Sequence, residues 1–213
     1  MQVIKKEGII VNETATQILG VGGSPRKNGN SDILLTHILK GAKAAGIDAF
    51  GRRLRDFEFK SCTGCEKCRK DKTCTGLNDG MTLLYPDILQ CRGLVLVSPT
   101  HTYNVTALMK AFIDRLYCFY DFTETRPRKW SSRLAGQNRK AVICAICEQE
   151  EKENMGFTLD AMRIPLESHD YEIVDAVAVF GVFDRGKVKD HSDALDRAEA
   201  AGKTLARALA GSS

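Results

Sequence analysis

Nowhere in the 213 residues is there a run of about 18 apolar residues, so no membrane-spanning helix is expected. The N-terminal stretch 1–7 alternates charged and apolar residues and has no apolar h-region. A secretory leader is therefore not expected, and a cytoplasmic location is. Basic residues form no block with interleaved aromatics, and a formal net charge of +4 is weak. Neither nucleic acid nor a membrane is expected as a partner. Internal repeats and low-complexity segments are missing. So is any Ser-His-Asp or metal-hydrolase constellation: His37, His101, His169 and His191 are scattered, and no catalytic acid or base can be assigned. What remains is an ordinary globular composition, 43% hydrophobic and 27% charged. The length suits one large domain over 1–213.

Cysteine breaks the pattern. Eight are many for a cytoplasmic chain, and that compartment argues against disulfides. Cys91, Cys118, Cys144 and Cys147 read as buried, inert thiols. Cys62, Cys65, Cys68 and Cys74 instead fall together in a loop at 61–80, with the spacing C-x2-C-x2-C-x5-C. Thiolates are soft ligands that favour iron–sulfur clusters or zinc. Three cysteines at two-residue gaps let a short loop wrap one cubane, and the fourth ligand can come from slightly further along. In the bacterial ferredoxin run the last gap is shorter, a proline follows, and the fourth cysteine serves a second cluster. Here Thr75 follows and no second run exists. One self-contained [4Fe–4S] site fits best. Structural zinc, which usually takes two separated C-x2-C pairs, fits less well. Free redox-active thiols are a further alternative, because Lys67, Arg69, Lys70 and Lys72 stand close enough to lower thiol pKa values. The same cations could dock an acidic donor, or simply be solvated.

Short apolar runs alternate with longer amphipathic ones. Strands are expected at 18–21, 48–54, 93–97, 141–146 and within 171–182. Helices are expected at 31–45, at 81–89, from Asn104 onward, at 157–166 and at 191–210. Leu34, Leu35, Ile38, Leu39 and Ala42 give the first helix one apolar face, with Asn30 or Ser31 as its cap and Gly46 as its stop. Pro86 either kinks its helix or marks a late start. The run at 93–97 is apolar on both faces, as a central parallel strand should be. Val105, Leu108, Met109, Phe112, Ile113 and Leu116 make a buried stripe on the helix that follows. Leu195, Ala198, Leu205 and Leu209 turn inward from the last helix. Five strands alternating with helices imply a parallel α/β sheet covered on both sides, with right-handed crossovers. The polar, basic stretch 120–140 is long for a connection and marks a candidate functional loop. The charge run 148–154 reads as a solvated loop.

The first strand runs into Gly22-Gly23-Ser24-Pro25-Arg26-Lys27-Asn28-Gly29-Asn30-Ser31, and a helix starts straight after. At the carboxyl end of a parallel strand, such a loop can turn N–H groups and hydroxyls towards an anion. The helix N-terminus adds roughly half a positive charge, and Arg26 can offer a bidentate fork. No Gly-Lys-Ser/Thr closes a Walker A motif, and Pro25 stands where the third glycine of a dinucleotide fingerprint belongs. A terminal monophosphate suits the loop better than a pyrophosphate. The bland alternative is an ordinary βα turn with a good helix cap.

Gly23-Ser24-Pro25-Arg26 with Gly29-Asn30-Ser31 resembles the phosphate loop of the NADPH-dependent FMN reductase family. Ser98-Pro99-Thr100-His101-Thr102-Tyr103-Asn104, followed by Leu108-Met109-Lys110-Ala111-Phe112-Ile113-Asp114-Arg115, resembles that family's flavin-ring loop and the helix behind it. The resemblance implies a flavodoxin-like fold, a three-layer sandwich whose five-stranded parallel sheet has the order 2-1-3-4-5. It implies FMN as cofactor, with its phosphate at Ser24, Arg26, Asn28, Gly29, Asn30 and Ser31. It places the isoalloxazine against Pro99, Thr100, His101, Thr102 and Asn104, and a third contacting loop at Cys147 and Glu148. His101 stands where the family usually has Tyr. The stretch 120–140 is then expected on the flavin side of the sheet, with Trp130 packed against another chain of a homo-oligomer, dimer or tetramer.

The cysteine loop, between the second strand and the next helix, resembles the iron–sulfur flavoprotein branch of the same family. That implies a cluster on Cys62, Cys65, Cys68 and Cys74 that takes electrons from a ferredoxin and passes them to FMN. The expected function is thus an FMN-dependent oxidoreductase. The alternatives are a cluster-free NAD(P)H-dependent reductase of flavin, quinone or nitro compounds, a non-enzymatic flavodoxin-like carrier, and a four-cysteine zinc-binding interaction protein.

Overall fold

Strands that are apolar on both faces must be covered twice, and the elements are disposed accordingly. A computed structural model describes residues 17–211; the stretch 1–7 lies outside them. In chain order the elements are β1 (Ile18–Gly22), α1 (Asn30–Ala44), β2 (Ala49–Arg53), α2 (Lys67–Asp71), α3 (Tyr85–Gln90), β3 (Gly93–Pro99), α4 (Ala107–Arg115), β4 (Tyr120–Phe122), β5 (Trp130–Ser132), β6 (Arg139–Ile146), α5 (Thr158–Ser168), β7 (Tyr171–Val179) and α6 (Ser192–Ala210). Five strands form one parallel sheet in the order β2-β1-β3-β6-β7, and β4 pairs with β5 in a separate antiparallel hairpin. This is the flavodoxin-like order expected from the sequence. Among the described residues no helix is long and apolar enough to cross a membrane.

Alternate residues of the central strands feed two cores. Leu19, Val21, Leu94, Leu96 and Ile143 pack with Ile88, Met109, Phe112, Met162 and Leu166 on the α3–α4–α5 side. Ile18, Val95, Val97, Val142 and Cys144 pack with Leu34, Leu35, Ile38, Ala198 and Leu205 on the α1–α6 side. Cys91, Cys118, Cys144 and Cys147 are all buried. Desolvation pushes the first three thiols up to about 12, which keeps them protonated and inert.

Several boundaries differ from the expected ones, each for a local reason. The N-cap of α1 is Gly29, and Asn30 and Ser31 lie inside the helix. Pro86 does mark a late start: a short 3-10 turn over Gly80–Leu83 precedes α3, and Pro86 falls in its first turn. Helix α4 begins at Ala107 rather than Asn104, because the Thr106 hydroxyl accepts the Met109 N–H and caps it. Strand β6 starts at Arg139, whose buried guanidinium donates to the carbonyls of Ile88, Leu89 and Cys91 and to Tyr171 Oη. Strand β7 ends at Val179, and the chain beyond it turns into a loop.

The stretch 120–140 is also not where it was expected. Its hairpin packs against the cysteine loop through Lys72–Asp121 (2.6 Å) and Arg128–Glu66 (3.6 Å). On its other side Tyr120 stacks on His169, just before β7 begins, with ring centroids 4.0 Å apart. Trp130 is 53% exposed and rests edge-on against Tyr120 of its own hairpin. No residue of 120–140 lines the cleft at the carboxyl ends of the strands.

Helices α1 and α6 cross almost in contact, which only glycine permits. A Cβ on Gly41 would stand 2.0 Å from Glu199 O, and one on Gly202 would stand 1.9 Å from Ile38 O. Helix propensity alone favours alanine over glycine by about 1 kcal/mol. Overpacking costs about 1–3 kcal/mol and should win here. Gly202→Ala is therefore expected to lower the urea midpoint; a raised midpoint would show that the helices part without strain.

Candidate functional site

Loops at the carboxyl ends of β1, β3, β6 and β7 meet around a cleft of ≈ 300 Å³. Ser24, Arg26, Gly29, Asn30 and Ser31 line it from the first loop, Pro99, Thr100, His101 and Thr102 from the second, and Cys147 and Glu148 from the third. Two expected residues do not line it. Asn28 sits at φ 55° and uses its N–H on Asp32 Oδ2 (2.8 Å) to close the turn before α1. Asn104 folds its side-chain oxygen back onto the Val105 N–H (2.8 Å) and exchanges backbone hydrogen bonds with His101. Asn30 lines the cleft, yet its amide donates to Phe183 O and Asp184 O and accepts from Val188 N. Its side chain thus holds the β7–α6 loop, and α1 offers an anion its first backbone N–H groups instead.

The sequence places the last strand somewhere within 171–182 and carries no motif for the fourth loop, which follows it. That loop brings Val182, Phe183 and Arg185 to the cleft. The Arg26 guanidinium lies over the Phe183 ring, 4.7 Å from its centroid, which parks the cation at the mouth. The only signal in the sequence was topological: any loop after a parallel strand opens at this end of the sheet.

An acid also stands at the start of α1. Buried Asp32 is neutralised by Arg53 (3.2 Å) and Arg55 (2.8 Å), and Arg55 Nη1 donates onward to Ser24 O (3.1 Å). The first loop is therefore braced from β2, and the carboxylate does not oppose an anion in the cleft. Thr106 ties the first loop to the second: its hydroxyl donates to Gly23 O (2.6 Å), and its N–H donates to Ser98 Oγ (3.2 Å). In the second loop Thr102 and Tyr103 take φ values of 47° and 62°. The Phe157 N–H, donating to Tyr103 O at 2.7 Å, holds that turn against the start of α5. Thr100 lies 3.0 Å from Thr158 Oγ1, whose proton goes to Met155 O, so Thr100 is the donor of that pair.

The cysteine loop is held at the other end of α4, a helix of 9 residues, about 12 Å along its axis from Ala107. Cys62, Cys65, Cys68 and Cys74 all line one small cavity, together with Glu66, Arg115 and Tyr117. Left-handed backbone at Gly64 (φ 67°), Glu66 (φ 56°) and Lys72 (φ 57°) wraps the chain around it. The Gly64 N–H points at Cys62 Sγ (3.5 Å), and Arg115 Nη2 points at Cys74 Sγ (3.5 Å). The Cys65 thiol is held below its ordinary value, chiefly by the Lys67 N–H. Burial pushes Cys68 up, and the neighbouring Cys74, Cys62 and Cys65 add to the rise. Gly76 leaves room for Cys65: a Cβ there would meet its sulfur at 2.4 Å. Among the described residues no three His, Cys, Asp or Glu side chains close around a single metal ion.

The family model for NADPH-dependent FMN reductase matches residues 16–142. The chain belongs to this family. Members of the iron–sulfur flavoprotein kind are similar over about half the chain. One from Methanocaldococcus jannaschii is 30% identical over 99 residues, 46% of this chain and 51% of that protein. One from Archaeoglobus fulgidus is 35% identical over 98 residues, 46% of this chain and 44% of that protein. The match thus spans about half the length of these relatives. The fold is also that of an FMN-dependent NADH-azoreductase from Bacillus anthracis solved with FMN, at a TM-score of 0.64 and 16% identity, covering 90% of this chain and all of that one (100%).

Within this FMN reductase fold, Thr106 is the joint between the two loops that line the cleft. Thr106→Val keeps the shape but leaves Met109 N–H and Gly23 O without their partner, at a cost of about 1–3 kcal/mol. Thr106→Ser is expected to stay within about 1 kcal/mol of the parent. Equal urea midpoints for the valine and serine variants would contradict the role given to the hydroxyl.

Proposed function

We propose that the protein is an FMN-dependent oxidoreductase in which a [4Fe–4S] cluster on Cys62, Cys65, Cys68 and Cys74 hands electrons from a ferredoxin to FMN. The observation that carries it is the convergence of all four cysteines of one short loop on a single cavity. The donor set suits a cluster: four soft sulfurs, N–H groups directed at Cys62 and Cys74, and glycine where a side chain would displace Cys65. The cleft suits FMN. Ser24 and Ser31 are buried at its floor beside the α1 N-terminus and would hold the phosphate with Arg26. Pro99, Thr100, His101, Thr102, Cys147 and Glu148 would flank the ring. When bound, FMN supplies one- and two-electron chemistry, and the cluster supplies one electron at a time.

The protein's own part is placement. Thr106 fixes the first two loops against each other, and Asn30 brings up the fourth. Exposed cations at the cysteine loop, Lys67 and Lys70, give an acidic donor protein a surface of opposite charge. The relatives named as iron–sulfur flavoproteins support the cluster; the family description supports FMN and leaves NAD(P)H as the alternative donor.

The test is analytical. Protein purified without oxygen is expected to carry roughly four irons and four sulfides for each FMN, as one cubane requires. FMN without iron or sulfide would sink the cluster and leave a cluster-free NAD(P)H-dependent reductase as the better answer.

A further inference from the structure

A guanidinium carries five N–H donors, and burying it leaves each of them needing a partner. Arg115, the last residue of α4, is 2% exposed and meets that need in full. Nε donates to Tyr85 Oη (3.3 Å). Nη1 donates to Lys60 O (2.8 Å) and to Asp79 Oδ2 (2.8 Å). Nη2 donates to Asp79 Oδ1 (3.1 Å) and to Cys74 Sγ (3.5 Å). Asp79 in turn accepts the Lys60 N–H (3.0 Å) and the Met81 N–H (3.1 Å). Lys60 and Asp79 stand just before and just after the four cysteines, so this one ion pair closes the base of the loop. Closing the base needs Lys60 and Asp79 only. The bond to Cys74 is an addition, and it aims a cation's N–H at one sulfur of the quartet.

We propose that Arg115 is a positioning residue for the cluster: it orients the Cys74 sulfur and, by donating to it, raises the reduction potential of the bound centre. This rests on the cluster reading given above. Reduction adds one electron and no proton, so the negative charge shared by iron and sulfur grows by one. A donor fixed against a ligand sulfur, away from water, stabilises the reduced form more than the oxidised one. Asp79 offsets the net charge of Arg115 and shares Nη2 with Cys74. With the charge offset, the directed N–H is what the sulfur feels. Glu66, the acidic residue lining the cavity, is itself paired with Arg69 (2.9 Å).

The double variant Arg115→Gln/Asp79→Asn removes both charges together and leaves neither buried alone. Anaerobic redox titration, following cluster and flavin separately, is expected to show the cluster potential moved negative. The reduced-to-oxidised ratio at a fixed potential should fall about tenfold, or about 59 mV for a one-electron couple. The potential of bound FMN should not move, which a general loosening of the fold would not spare. Arg115→Lys keeps the charge and loses the fork; a smaller shift in the same direction is expected, and it carries the test if the double variant loses its iron. Wild-type cluster potentials in both variants would overturn the role of Arg115 and leave the cluster standing. Wild-type protein with FMN but no iron or sulfide would overturn both.

Discussion

The ion pair of buried Arg115 with half-buried Asp79 is the contact on which the arrangement of the two sites depends. It fastens the cysteine loop to the carboxyl end of α4, while Thr106 fastens the other end of the same helix to the first and second cleft loops. One short helix, with Met109 and Phe112 fully buried in the core, is thus held at both ends by polar bonds to functional loops. Such a pair is not a reliable source of net stability; losing Asp79 alone would cost about 3–5 kcal/mol because the Arg115 charge is stranded in the interior. Its value here is geometric. It sets where the cysteine loop begins and ends relative to the cleft.

The cleft follows from the same economy of short contacts at loop bases. An anion at the start of α1 would meet Asp32 were that carboxylate not matched by Arg53 and Arg55. Arg55 also grips Ser24 O, so β2 braces the loop that β1 begins. Asn30 performs the matching task for the last loop, through Asp184 O and Val188 N. Strand ends supply the loops, and side chains one shell back decide their shape.

Much of this was legible in the residues. Doubly apolar runs such as 93–97 identify central parallel strands, and the family resemblance implied the sheet order observed, with β2 at one edge and β7 at the other. The phosphate-loop and ring-loop motifs name most of the residues that line the cleft. What was not legible depended on contacts distant in sequence. Arg139 could not be read as a strand residue, because its charge is acceptable only where Ile88, Leu89 and Cys91 present carbonyls. Phe183 and Arg185 lie in no motif and reach the cleft only because β7 stops at Val179. Asn28 and Asn104 sit inside matching motifs, yet local turn geometry takes up their polar groups. The hairpin at 120–140 looked like a loop because its strands are three residues each and its partners, Lys72, Glu66 and His169, belong to other segments.

The central claim is that electrons reach FMN by way of the cysteine loop, and anaerobic rapid mixing with reduced ferredoxin tests it most directly. Wild-type protein is compared with Cys68→Ala, both loaded with FMN. Cys68 is the buried member of the quartet, and its loss strips one iron of its thiolate. The account predicts that flavin bleaching by ferredoxin becomes far slower in the variant, while dithionite still reduces its FMN. Equal rates of flavin reduction by ferredoxin in the two proteins would contradict it.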